Sequence, residues 1–169
     1  RLSRSEVIPD EIRNQMLDFI STNPPRFGVN WRCPMDVAIR AVNWVAAYDL
    51  LVSHGFHWDE PFRMVLAASL RDHARFINEF LEIGPGGFKG NHYLSNIAGL
   101  LCISLFLPHD IETENWLKFA YSELHHELKT QFLDDGSSFE GSTVYHCLSA
   151  EMVAFSSYFL MNLKNEKKL

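Results

Sequence analysis

Apolar residues in this chain return every three or four positions in long runs, and no stretch alternates with period two long enough to make a strand. Prolines and glycines cut the runs apart. From Met35 to Ser53 the apolar positions are Val37, Ile39, Val42, Val45, Ala46, Leu50 and Val52, one face of a helix that His54-Gly55 closes. Asp59 is placed to cap the next helix, with Pro61 in its first turn, and the pattern continues to about Ile83. Gly84-Pro85-Gly86-Gly87 then breaks the chain. A fourth helix is expected over Asn91–Phe106, ended by Pro108; a fifth over Glu112–Phe132; a sixth over Thr143–Leu163 after the polar loop Asp134–Ser142. A shorter first helix is expected from Asp10 to Ile20, with Asp10 as its cap behind Pro9. The charged tail Lys164–Lys168 is expected to fray.

Helices of this length joined by short loops pack as antiparallel neighbours, so the fold class is all-α. An ordinary bundle and a toroid of helical hairpins both satisfy the pattern. In a toroid, the loops at one end of the inner helices face a central cleft and carry function.

A length of 169 residues makes one domain, and 47% hydrophobic with 21% charged residues is an ordinary globular balance. The formal charge of −6 argues against a nucleic-acid partner, which would call for a basic face, yet leaves room for a local basic pocket and an anionic ligand. No run reaches the ~20 apolar residues of a membrane span; Ile97–Pro108 is too short. Cys33, Cys102 and Cys147 have neither disulfide nor metal spacing, and the last two lie in apolar runs that suit buried small hydrophobes. The chain begins with Arg1 rather than Met and shows no leader, so a piece of a longer protein is expected.

Chemistry-bearing residues gather at two helix entries. Gly84 to Gly90 holds four glycines in seven residues, a loop whose backbone can bend tightly and approach a ligand, and Asn91-His92 follow it. Asn91 can cap the helix; equally, an amide and an imidazole at a helix N-terminus suit an anion. In the second entry, Glu140, Gly141 and Ser142 precede Tyr145 and His146 in the first turn of the sixth helix. A phenol there can pack in the core or act as an acid or base. Arg40 and Asn43 share a helix face, with Trp44 beside them; Arg40 can serve an internal carboxylate or an anion. Trp31 can stack on a sugar or plug the end of the bundle. His73 reads as a surface residue. The adjacent pair His125-His126 lacks the spacing of a zinc helix and reads as a solvated face.

Trp31, the stretch Met35–Trp44, the pair Asn91-His92, and Asp135-Gly136-Ser137 through Glu140 to Tyr145-His146 together resemble the helical domain of heparinase II/III-type polysaccharide lyases, in the family's order, over about Trp31 to Leu160. The resemblance implies an incomplete α/α toroid followed by a β-sandwich, and cleavage of uronic-acid-containing polysaccharides by β-elimination. It implies Asn91, His92 and Tyr145 as catalytic residues and Glu140, His146, Arg40, Asn43 and Trp31 as substrate-binding ones. It implies an acidic polysaccharide or oligosaccharide as partner, no cofactor, no metal, and a periplasmic or secreted location. Residues 1–169 are then a single partial toroid without its sandwich, and weak or no activity is expected of it alone. A non-catalytic glycan-binding toroid and a plain helical interaction domain are the alternatives.

Overall fold

The computed structural model describes residues 4–162. Six α-helices make up the described chain: α1 (Arg4–Thr22), α2 (Pro34–Ser53), α3 (Glu60–Glu79), α4 (Asn91–Phe106), α5 (Ile111–Gln131) and α6 (Thr143–Asn162). Among the described residues there is no strand, only an isolated antiparallel bridge between Phe132 and Ser138. None of these helices is long and apolar enough to cross a membrane. The expected charged tail lies outside the described residues.

The organising element is α4. Its sequence carries no charged side chain apart from the titratable His92, and every residue but His92 is buried. A helix that is apolar all round belongs in the middle of a structure, and α4 packs against α2, α3, α5 and α6. Its closest neighbour is α2. A Cβ built on Gly99 would lie 2.7 Å from the Ala38 Cβ, so the two backbones meet through a glycine and an alanine that leave no room for more. Polar residues inside α4 turn their hydrogen bonds inward: Ser95 and Ser104 hydroxyls donate to the carbonyls of Asn91 and Leu100.

The caps explain several boundaries. Asp59 accepts the Phe62 N–H at 2.9 Å and also receives Arg13 Nε at 2.8 Å, which fastens α1 to the start of α3. Asp110 and Thr113 form a reciprocal capping box on α5. Arg71 reaches Asp110 and Glu112, and Arg75 reaches Glu112, so α3 grips the same helix start.

Three sequence expectations are corrected. The first helix begins at Arg4, not Asp10, and runs through Pro9, so Asp10 is an exposed helical residue and not a cap. One missing N–H bond near a helix start leaves the rest of the ladder intact. The third helix stops at Glu79, not near Ile83, although Phe80, Leu81 and Ile83 continue the apolar pattern. The competitor is distant in sequence: the Glu82 N–H donates to Asn96 Oδ1 of α4 at 2.8 Å. Lastly, Cys102 is buried as expected, whereas Cys147 is exposed on the first turns of α6.

Candidate functional site

The two glycine-flanked helix entries lie side by side. The loop before α4 closes on itself, with Gly84 N–H donating to Phe88 O and Gly87 N–H to Gly84 O. Gly86 and Gly87 have φ of 71° and 83°, values that disfavour any side chain. The loop before α6 is a three-residue hairpin turn. Gly136 N–H donates to Leu133 O, Leu133 N–H to Ser137 O, and Gly136 takes φ 84°. Asp135 accepts both the N–H and the hydroxyl of Ser137, which fixes the turn.

Gln131 joins the two loops. Its side-chain amide donates to the Gly90 carbonyl at 3.2 Å, and its backbone carbonyl accepts the Phe139 N–H at 3.0 Å. Phe88 and Phe139 then face each other with ring centroids 5.9 Å apart. Behind them, Lys89 pairs with Glu123 at 2.7 Å and with buried Glu127 at 3.5 Å, and the Tyr93 hydroxyl donates to Glu123 at 2.7 Å. Burial alone would raise the Glu123 pKa; the bonds from Lys89 and Tyr93 outweigh it and hold that carboxyl below its ordinary value.

An open cleft of about 670 Å³ results, lined by Asn91, His92, Glu140, Tyr145, Glu82 and the Phe88–Phe139 pair, with the glycine loop between them. Glu140 lies over the N-terminus of α4. It accepts the Asn91 backbone N–H at 3.0 Å and the Asn91 amide at 2.8 and 3.0 Å. A Cβ on Gly90 would come within 3.1 Å of the Glu140 carboxylate, so glycine is what lets the carboxylate approach so near. Free N–H groups and the helix dipole both favour an anion at that point.

His92 stands at the cleft rim with its side chain about half exposed, and its Nδ1 is 2.8 Å from Glu82 Oε1. Glu82 is held in turn, its Oε2 accepting the Met35 N–H at 2.7 Å and the Asn96 amide at 3.1 Å. Burial pushes the Glu82 pKa up, but the bonds from His92 and Asn96 win and leave it below the ordinary carboxylate value. An ionised carboxylate only accepts, so Nδ1 is the donor in this contact, and the neutral tautomer that fits it has its lone pair on Nε2. Tyr145 is 48% exposed and so is free to meet a ligand.

The structure therefore brings Asn91, His92, Glu140 and Tyr145 to one cleft. His146 follows Tyr145 on α6 but does not line the cleft; its ring packs edge-on against Phe132, and its Nδ1 is buried without a partner. Arg40, Asn43 and Trp31 lie elsewhere, among α1, α2 and α3. Trp31 is buried at 3% exposure, wedged between His73 and Phe76, with its indole N–H on the Asn23 carbonyl. It plugs the helix ends and borders a small pocket of about 220 Å³ with Phe19 and Asp72, separate from the cleft. Arg40 donates to His73 Nε2 and to the Asn30 carbonyl, and lies over the rings of Phe19 and Trp31. Burial lowers its pKa to about 10. Asn43 borders a separate shallow pocket with Phe19 and Trp44. His73, read from sequence as a surface residue, is fully buried, and burial together with Arg40 pushes its pKa down to about 3.

Sequence reasoning passed over Glu82, the residue that orients His92. Its one trace in the sequence is Asn96, a polar residue in an otherwise apolar run, which holds Glu82 from the inside. Among curated proteins and solved structures, nothing matches this chain. A family model described as the heparinase II/III N-terminus matches residues 1–167, nearly the whole chain, and the chain belongs to that family.

Proposed function

We propose that this chain is the helical part of a polysaccharide lyase that binds uronic-acid-containing glycans and cleaves them by β-elimination. The observation that carries the reading is the convergence of Asn91, His92 and Tyr145 on one open cleft in a heparinase II/III-family domain. The reaction removes the C5 proton of a uronate, forms the C4–C5 double bond, and breaks the C4–O bond, with a proton going to the leaving oxygen. Negative charge builds on the uronate carboxylate as C5–H breaks. Donors held against that carboxylate stabilise the transition state more than the ground state. Asn91 and the N-terminus of α4 supply such donors. Tyr145 gives its phenolic proton to the leaving oxygen and, where proton removal and departure are on the same face, also takes the C5 proton. His92, oriented by Glu82, presents Nε2 as a second acid–base group.

In the resting site Glu140 holds the Asn91 donors that the uronate would need. The substrate carboxylate takes over this position as Glu140 swings aside. The chain is proposed to work with a β-sandwich and outside the cytoplasm, as a partial α/α toroid. Unsulfated uronate polymers are the preferred class, because the cleft lining has no arginine or lysine to meet a sulfate.

Incubation with a panel of uronate polymers, read by the ultraviolet absorbance of the unsaturated product, tests the proposal. The natural polypeptide carrying this chain is expected to cleave at least one of them, and Tyr145→Phe to abolish cleavage while retaining binding. Cleavage undiminished in Tyr145→Phe would overturn the assignment. Binding without cleavage in both proteins would favour a non-catalytic glycan-binding domain.

A further inference from the structure

At the rim of the cleft, three potential metal ligands come together from far apart in the sequence. Cys33 Sγ, a Glu82 carboxylate oxygen and a His92 ring nitrogen all lie within 4.8 Å of one another. We propose that Cys33, Glu82 and His92 form a binding site for a thiophilic divalent cation, zinc in the first instance, with its fourth position open to solvent.

The geometry supports a single ion. Zinc bonds of about 2.0–2.3 Å in a tetrahedral arrangement place the ligand atoms roughly 3–4 Å apart. Cys33 Sγ is 3.6 Å from Glu82 Oε1, inside that range. The His92 Nδ1 to Glu82 Oε1 separation of 2.8 Å is that of a hydrogen bond and needs to open by roughly half an ångström. The donor set, a thiolate, an imidazole and a carboxylate with one free position, is one that zinc accepts.

The surroundings support the ligands. Glu82 Oε2 is pinned by the Met35 N–H and the Asn96 amide, which leaves Oε1 facing Cys33 and His92. Cys33 occupies the N-cap of α2, the helix whose Met35 N–H makes the bond to Glu82 Oε2. Outer-shell hydrogen bonds of this kind orient ligands and favour their charged forms. Without a cation, burial raises the Cys33 pKa, and the nearby Glu82 carboxylate adds to the rise. A divalent cation reverses that balance, since it replaces two unfavourable neighbours with a neutral cluster of one dication, one thiolate and one carboxylate. Binding releases one proton from the Cys33 thiol. His92 changes tautomer, giving its Nδ1 lone pair to the ion and carrying its proton on Nε2.

The binding itself stands on geometry alone. Its consequence rests on the lyase reading: an ion on Nδ1 replaces the His92 hydrogen bond to Glu82 and removes the free Nε2 lone pair, so zinc would inhibit cleavage. Binding is measured without activity, which keeps the two claims separable. Zinc is titrated into the chain against a chromogenic chelator, and cobalt is used to look for a thiolate-to-metal charge-transfer band. The expected result is one zinc per chain, at least tenfold weaker binding in both Cys33→Ser and His92→Ala, and loss of the cobalt charge-transfer band in Cys33→Ser. His92 is exposed enough that its removal leaves the fold intact, as circular dichroism would verify. Absence of stoichiometric zinc binding, or zinc affinity unchanged in Cys33→Ser and His92→Ala, would overturn the proposal.

Discussion

The Glu140 carboxylate spans the side-chain amide of Asn91, with Nδ2 at 2.8 and 3.0 Å from its two oxygens, and takes the Asn91 backbone N–H as well. One residue of the α6 entry thus sits as a resident anion on the mouth of α4. It satisfies the first backbone N–H of that helix and occupies the place where a uronate carboxylate is proposed to bind.

Removing the resident anion has two effects of opposite kind. Glu140→Ala is expected to cost about 1 kcal/mol of stability, below the usual 1.5–3 for hydrogen bonds to a charged group because Glu140 is partly exposed. The same change is expected to tighten binding of a short uronate oligosaccharide by roughly 3–10-fold, since a like charge leaves the site. Denaturant unfolding and calorimetric titration measure the two. Weaker binding in the variant would mean that Glu140 contacts the sugar directly.

Acid should destabilise the fold through His73. Its folded pKa is about 3, against an ordinary value of 6.5, because it is buried beside Arg40. The unfolded chain therefore binds more protons between those values. The stability that neutral His73 contributes is fully present above about pH 6.5 and is lost as pH falls toward 3, by at most ~1.4 kcal/mol per unit. His73→Gln can still accept from Arg40 but cannot titrate. Between pH 7 and pH 5 its unfolding free energy should fall by roughly 2 kcal/mol less than that of the unaltered chain. Equal pH slopes would contradict the burial of a neutral imidazole.

The α2–α4 contact should be intolerant of a single methyl group. In Gly99→Ala the new Cβ meets the Ala38 Cβ at 2.7 Å and its Cα at 2.9 Å, and the contact is backbone-close on both sides. Overpacking costs about 1–3 kcal/mol, and the helix-propensity gain of about 1 kcal/mol offsets only part of it. A lower melting temperature is expected; a higher one would show that the two helices can move apart freely.

Lys89 is expected to matter more than an ordinary surface lysine. Lys89→Met leaves Glu127, 1% exposed, without its cation, and removes the partner that Glu123 shares with Tyr93. Breaking such a pair costs about 3–5 kcal/mol when fully buried, and about 2–3 here because Lys89 retains some solvent contact. Adding Glu127→Gln to Lys89→Met should restore part of the loss in a denaturant titration. A surface-like loss below ~0.5 kcal/mol would refute this pairing.

The helices were legible where local signals decide them. Asp59 caps α3, and Gly84-Pro85-Gly86-Gly87 ends the region before α4, because caps and breakers act over a few residues. The end of α3 was not legible, since Asn96 of α4 takes the Glu82 N–H from fourteen residues away. His73 misled for the same reason: flanked by Arg71 and Arg75 it looks solvated, but its face of α3 meets Trp31, Trp44 and Arg40. At the site, the two helix mouths announced themselves through glycine and polar residues. The Cys33–Glu82–His92 cluster did not, because its members stand 49 and 10 residues apart and match no local spacing.

The most direct test of the account is a nuclear magnetic resonance titration of this chain with an unsulfated uronate oligosaccharide. The prediction is saturable shifts at the Asn91 side-chain amide, His92 and Tyr145, with the Glu140 contact to Asn91 lost, and no change at Asn43 or Trp31. Shifts confined to the Asn43–Trp44 side, or none at Asn91 and Tyr145 at saturating sugar, would contradict it.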